Sequence, residues 1–83
     1  MNKLLVEVIC PMTNQSYDFY IPVGLTFSEI KMLIAKTIEN NSINTYFKDN
    51  QIILCDFETG KILYDEKTPQ DLNIKNGYRM LIM

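Results

Sequence analysis

The stretch 25–40, Leu25-Thr26-Phe27-Ser28-Glu29-Ile30-Lys31-Met32-Leu33-Ile34-Ala35-Lys36-Thr37-Ile38-Glu39-Asn40, constrains the fold more than any other part of the chain. It reads as the only helix. At about 100° per residue, Phe27, Ile30, Ile34 and Ile38 share one face, with Asn41 at its end, while Ser28, Met32, Lys36 and Glu39 lie opposite. Thr26 is placed as the N-cap, its hydroxyl accepting from the Glu29 N–H. Glu29 reaches back to the Thr26 N–H and completes a capping box. Leu25 and Ile30 occupy the two positions of a hydrophobic staple, and Asn40-Asn41 supplies a left-handed stop. A single apolar stripe needs a single cover, which the remaining segments must provide as strands.

They have the pattern to do so. Residues 3–10 alternate, with Leu4, Val6 and Val8 inward and Lys3, Leu5, Glu7 and Ile9 outward. Polar residues 11–16 turn around Asn14. Tyr17, Phe19 and Ile21 then point inward, with Asp18 and Tyr20 outward, until Pro22, which has no N–H for a ladder, ends the strand. After the helix, 41–50 reads as a loop pinned by Ile43, Tyr46 and Phe47. A third strand is expected over 51–57, with Ile52 and Leu54 inward and Ile53 and Cys55 outward, and a short fourth over 61–64, with Leu63 inward. Thr68-Pro69-Gln70-Asp71 starts a helical turn with Pro69 first. Leu72 and Ile74 tuck under the sheet, Asn76-Gly77 turns tightly, and 78–83 is the last strand. The order strand, strand, helix, strand, strand, strand gives an α+β fold, one helix on one face of a mixed sheet. With the first strand parallel to the last at the centre, it is a β-grasp.

Composition limits the functional classes. Residues 1–83 are expected to form a single domain, because a chain this short buries only about 60% of its unfolded surface. The net charge of −2 carries no basic stripe, which argues against nucleic acid as a partner. No segment approaches the roughly 18 apolar residues of a membrane span. Met1-Asn2-Lys3-Leu4-Leu5 opens like an export signal, but Glu7 interrupts the apolar run and no small-residue cleavage site follows. A cytoplasmic protein without direct membrane insertion is the expectation. There is no histidine, and Cys10 and Cys55 form no CxxC, so no metal site is expected. The two thiols read as small, partly buried hydrophobes, with a regulatory disulfide as the alternative. No catalytic constellation, phosphate-binding glycine loop or cofactor motif is present, and Asp65-Glu66-Lys67 reads as a solvated loop. The chain is not expected to be an enzyme.

With Thr26 opening the helix and Asp71-Leu72-Asn73-Ile74 before the last strand, the whole chain resembles ubiquitin. It resembles more narrowly the small bacterial ubiquitin-like proteins of the YukD/EsaB type, which accompany type VII secretion systems of Gram-positive bacteria. That likeness rests on Tyr17-Asp18-Phe19-x-Ile21-Pro22, on Asn50-Gln51-Ile52, and on the ending Asp71-x-x-Ile74-x-Asn76-Gly77-x-Arg79-Met80-x-Ile82-Met83. A slightly longer connection at 56–61 departs from the family pattern. Conjugated ubiquitin-like proteins and the sulfur carriers of the same fold end in a flexible glycine pair that must thread an activating enzyme's channel. Here the nearest glycine, Gly77, precedes the last strand, so neither conjugation nor sulfur transfer is expected.

Function is therefore expected on the surface. Leu5, Ile9, Ile53, Leu81 and Met83 point away from the helix, and Ile53 resembles in position the isoleucine at the centre of ubiquitin's partner-binding patch. The expected protein-binding surface is Ile53, Leu81, Met83 and Leu5, flanked by Arg79 and Gln51. A one-residue shift in register would make the same residues core. The resemblance implies an accessory or regulatory role in a type VII secretion system through docking on its machinery or regulators. A general β-grasp adaptor unrelated to secretion and a sulfur or ubiquitin-like carrier are the alternatives. The same apolar face also allows a homodimer.

Overall fold

The computed structural model describes residues 2–48 and 51–83. Asn50 of the Asn50-Gln51-Ile52 match lies outside the described residues, as do Met1 of the opening stretch and Asp49 of the loop at 41–50. Strands β1 (Lys3–Cys10) and β2 (Gln15–Pro22) precede helix α1 (Phe27–Asn41), which is followed by β3 (Leu54–Asp56) and β4 (Tyr78–Ile82). The sheet order is β2-β1-β4-β3. β1 pairs antiparallel with β2 and parallel with β4, and β4 pairs antiparallel with β3. The parallel pair sits at the centre and the helix supplies the crossover, so the architecture is the α+β, β-grasp arrangement.

The helix forms as its local chemistry dictates. Thr26 accepts from the Glu29 N–H at 3.3 Å while Glu29 Oε1 accepts from the Thr26 N–H at 3.0 Å, so two N-terminal donors are satisfied reciprocally. Two more are satisfied from far along the chain: the Phe27 N–H donates to the Lys67 carbonyl at 2.8 Å and the Ser28 N–H to that of Asp65 at 3.1 Å. The segment read as a solvated loop thus closes the helix N-terminus with its backbone. Asp65 also accepts from Lys31 Nζ at 2.8 Å, and Lys31 donates again to the Ile52 carbonyl at 3.2 Å. At the other end the expected left-handed stop at Asn40-Asn41 is absent. The helix runs on through Asn41, whose side-chain amide donates to the Thr37 carbonyl at 2.8 Å, Ser42 caps in an extended conformation, and the positive φ falls at Asn44.

Phe27, Ile30, Ile34, Ala35 and Ile38 are buried on one helix face. They pack with Val6, Val8 and Cys10 of β1, Ile21 of β2, and Met80 and Ile82 of β4. Each fully buried aliphatic or aromatic side chain contributes about 1.5–3 kcal/mol relative to exposure. Met32, assigned to the water-facing side, is partly buried and packs against this cluster, because its long flexible side chain folds back onto the helix flank. Cys10 is wholly buried rather than partly so, and both cysteines are free thiols.

The second half departs from the sequence reading in extent. The third strand shortens to Leu54–Asp56, although Ile53 and Met83 still exchange two backbone hydrogen bonds of 3.0 Å beyond it. The fourth strand reduces to one bridge, Cys55 opposite Ile62, framed by Asp56 N–H to Lys61 O and Leu63 N–H to Leu54 O, both 2.8 Å. Leu63 is buried as expected. Of the three expected loop anchors only Phe47 is buried, its N–H held by Glu39 Oε2 at 2.7 Å; Ile43 is 91% exposed and Tyr46 is also exposed. Their polar neighbours keep the backbone in water, and one anchor suffices to close the loop. The turn after Thr68 forms with Pro69 fully buried, and Thr68 and Asp71 cap each other. Ile74 reaches the core but Leu72 does not.

Candidate protein-docking surface

The strand registers fix what the sheet presents away from the helix. Because Val6, Val8, Met80, Ile82 and Leu54 belong to the core, alternation sends Leu5, Glu7, Ile9, Arg79, Leu81 and Cys55 to the outer face. The shift that would have made Leu81 and Ile53 core is thereby excluded. Outer residues stand in rows across the strands. One row runs Ser16, Ile9, Leu81, Cys55, Ile62. Beyond it the Ile53–Met83 backbone pair adds two more apolar side chains. On its other side runs a charged row, Asp18, Glu7, Arg79, and next to that lie Tyr20 and Leu5.

This arrangement sorts the sequence-expected residues. Ile53, Leu81 and Met83 are brought together, with Ile53 41% and Met83 50% exposed and Leu81 half-buried among its neighbours. Arg79 borders them. Its guanidinium lies 4.7 Å above the Phe57 ring and 3.7 Å from Glu58, which holds the flat cation along the rim. Gln51 is exposed next to Ile52. Leu5 is not part of this cluster: the charged row separates it from Leu81, and four residues along the strand amount to roughly 13 Å. Cys55 faces outward as read but is only 4% exposed, because Leu81 and Ile62 stand in register on either side of it.

Two members went unread in the sequence. Ile62, 49% exposed, extends the apolar row past Cys55; placing Leu63 inward already implies it by alternation. Phe57 continues the outward parity of Ile53 and Cys55 and meets Arg79, which its position in the expected third strand also implied.

A second feature lies at the foot of the sheet, between residues 61–64 and the segment before β4. It is a groove of about 430 Å³ whose walls include Leu72, Ile74, Tyr78 and Asp56. The Tyr78 hydroxyl donates to Asp56 Oδ2 at 2.7 Å, while Oδ1 accepts from the N–H groups of Glu58 and Thr59, each at 2.9 Å. These donors, the Thr59 N–H foremost and then the Tyr78 hydroxyl, hold the Asp56 carboxyl below its usual range. Burial, and then the hydrogen bond to Asp56, push the Tyr78 hydroxyl well above the usual phenol range. Tyr78 therefore stays a donor and Asp56 an acceptor, which makes the pair a structural clamp between β3 and β4. Among the described residues no three His, Cys, Asp or Glu side chains are grouped to hold a metal ion, and no helix is long and apolar enough to cross a membrane.

No family model matches the chain, and no curated protein matches it. Solved structures do. The N-terminal ubiquitin-like domain of the 4931431F19Rik protein is 20% identical with a TM-score of 0.76, the match covering 98% of this chain and 73% of that one. Caldiarchaeum subterraneum ubiquitin is 10% identical with a TM-score of 0.77, covering 98% and 91%. A ubiquitin-like domain of an Arabidopsis thaliana protein is 18% identical with a TM-score of 0.73, covering 100% and 78%. At these identities the likeness is one of fold, and the fold of this chain is ubiquitin-like.

Proposed function

We propose that the chain is a single ubiquitin-like domain that acts by docking a protein partner on the outer face of its sheet, without catalysis. The observation that carries this reading is the contiguous apolar set Ile53, Leu81, Met83, Ile9 and Ile62, which lies opposite the helix and is not required by the core. Apolar side chains gathered in one patch, with a charged row along one border, are the arrangement that partner surfaces use. Leu5 belongs to this surface only if the partner spans the charged row. The finer reading is a cytoplasmic accessory or regulatory protein of the YukD/EsaB type, docking on a type VII secretion machine or its regulators in a Gram-positive bacterium. The sequence resemblance supports that part.

The test compares the wild type with an Ile53→Asp, Leu81→Asp double variant in capture from solubilised membranes of a Gram-positive cell carrying such a system, with melting temperatures measured alongside. The expected outcome is recovery of a secretion-machine component by the wild type and its loss from a variant that still melts cooperatively. A folded variant that retains the component sinks the docking face. A wild type that never recovers a secretion component favours the broader reading, a β-grasp adaptor outside secretion. Sedimentation of the wild type separates a partner of another kind from a homodimer on the same face.

A further inference from the structure

The exposed edge of residues 61–64 carries backbone groups with no assigned partner. The Asp56 N–H to Lys61 O and Leu63 N–H to Leu54 O bonds show that Lys61 O and Leu63 N–H point toward β3. Ladder alternation then turns the N–H and C=O of Ile62, and the N–H of Tyr64, to the open side. Among the described residues none of these three groups has a hydrogen-bond partner. The groove of about 430 Å³ begins at this edge, with Leu72, which is 45% exposed, and Ile74 among its apolar walls. Lys61 and Lys67 line the same groove, and neither belongs to an ion pair among the described residues. The one carboxylate in its wall, Asp56, is occupied by three donors.

We propose that this edge is a second docking site, adjoining the outer face at Ile62 but using main chain and the inner groove, which takes an extended acidic segment of a partner protein as an added strand. The segment's backbone would bond to Ile62 and Tyr64, one large apolar side chain would enter the groove against Leu72 and Ile74, and flanking carboxylates would face Lys61 and Lys67. Three independent observations select this occupant. The unpartnered main-chain groups call for an extended backbone, the apolar groove calls for one bulky side chain, and the two unpaired lysines call for negative charge. A helix would satisfy only the last two. The edge differs from β2, the other free edge, where the groove that includes Gln15 has no lysine or arginine in its walls.

The site is tested by titrating isotope-labelled protein with acetyl-Glu-Glu-Val-Leu-Glu-Glu-amide and following backbone amide resonances. The expected result is saturable shifts centred on Ile62, Leu63, Tyr64 and Ile74, weakened by salt. Lys61→Glu with Lys67→Glu, both on exposed residues, is expected to weaken binding about tenfold or more. Methylating the peptide's central amide nitrogen is expected to do the same by removing a strand hydrogen bond. Ile53→Asp is expected to leave this binding unchanged, which separates failure here from failure of the outer-face site. The inference is overturned if no shifts appear at millimolar peptide, if they centre on Ile9 and Leu81, or if the same peptide with lysine in place of glutamate binds equally well.

Discussion

The two halves of the sheet are built differently. β1 and β2 are eight residues each, joined by a short turn in which Asn14 takes φ 56°, and they pair over their full lengths. β3 is three residues, its outer neighbour is a single bridge, and β4 reaches it only after a long connection. The first half is held by a regular ladder between sequence neighbours. The second is held by distributed, mostly long-range devices: the Tyr78–Asp56 bond, the Lys31 contacts with Asp65 and Ile52, the Leu5 N–H to Asn76 Oδ1 bond of 2.9 Å, and the buried Leu63 and Pro69. The half that is less regular is also the half that presents Ile53, Ile62 and the groove. Both proposed docking sites thus draw on the half where the ladder is thin, which is where local opening costs least.

The largest expected effects probe that asymmetry directly. Ile34, fully buried on the core-facing side of the helix, is expected to lose about 3–4 kcal/mol of unfolding free energy as Ile34→Ala, measured by urea denaturation. Leu63→Ala removes a side chain that is nearly as buried, for about 2–3 kcal/mol. In native-state hydrogen exchange the two should differ in kind. Ile34→Ala should deprotect amides throughout the sheet, whereas Leu63→Ala should chiefly release the Leu63 and Asp56 amides while Val6 and Val8 stay protected. Equal deprotection of both halves by Leu63→Ala would mean that the sheet opens as one unit.

The Tyr78–Asp56 clamp comes next. Tyr78→Phe deletes one hydrogen bond to a charged acceptor in a half-exposed setting, for about 1–2 kcal/mol. Its pH dependence has a definite sign. The Asp56 carboxyl is held below its usual value when folded, so its contribution is complete above that value and is lost as pH falls through the lower, folded one. The Tyr78 hydroxyl is raised when folded, so its contribution is complete below pH 10 and is lost as pH rises beyond it. Tyr78→Phe should therefore cost most at neutral pH, with the difference from wild type narrowing at both extremes. A difference that stays flat from acid to alkali would mean that the clamp contributes nothing beyond packing.

Much of the first half was legible in the sequence because its signals are local. Val6, Val8 and Ile21 alternate with polar neighbours, Asn14 marks the turn, and Thr26 with Glu29 announces the helix start three residues apart. Two carbonyls that complete that start come from Asp65 and Lys67, some forty residues away, and no local pattern announces them. Ile43 and Tyr46 misled for the reverse reason: apolar side chains in a polar stretch look like anchors until Phe47 alone proves to be buried. Within the proposed docking surface, alternation placed Ile53, Leu81 and Met83 on the outer face. The separation of Leu5 depends on the cross-strand register of Glu7 with both Asp18 and Arg79, which is a property of pairing rather than of any one strand.

The helix cap lies between the halves and is expected to act on both. Thr26→Ala removes the acceptor for the Glu29 N–H and the hydroxyl that donates to Glu29 Oε1, leaving only the backbone N–H of residue 26 for that carboxylate, at a cost of about 1 kcal/mol by thermal or urea unfolding. Because Phe27 and Ser28 keep their bonds to Lys67 and Asp65, the variant should remain folded with unchanged sheet resonances. Thr26→Ser should restore most of the loss.

The smallest expected effect returns to the regular half. Glu7 and Asp18 stand directly opposite each other on β1 and β2, a like-charge pair in an otherwise favourable ladder, and Arg79 is the cation in register on the far side of Glu7. Asp18→Asn should stabilise the protein by a few tenths of a kcal/mol in low salt, with the gain fading as ionic strength rises. The same variant leaves the Ile53–Leu81–Met83 cluster untouched, so partner binding there should change only as far as the partner carries charge facing the row. If Asp18→Asn instead destabilises the hairpin, the two carboxylates are held apart by their rotamers and the row is a designed electrostatic border. If it stabilises and also strengthens partner capture, the row acts as a repulsive boundary that limits which partners reach across toward Leu5.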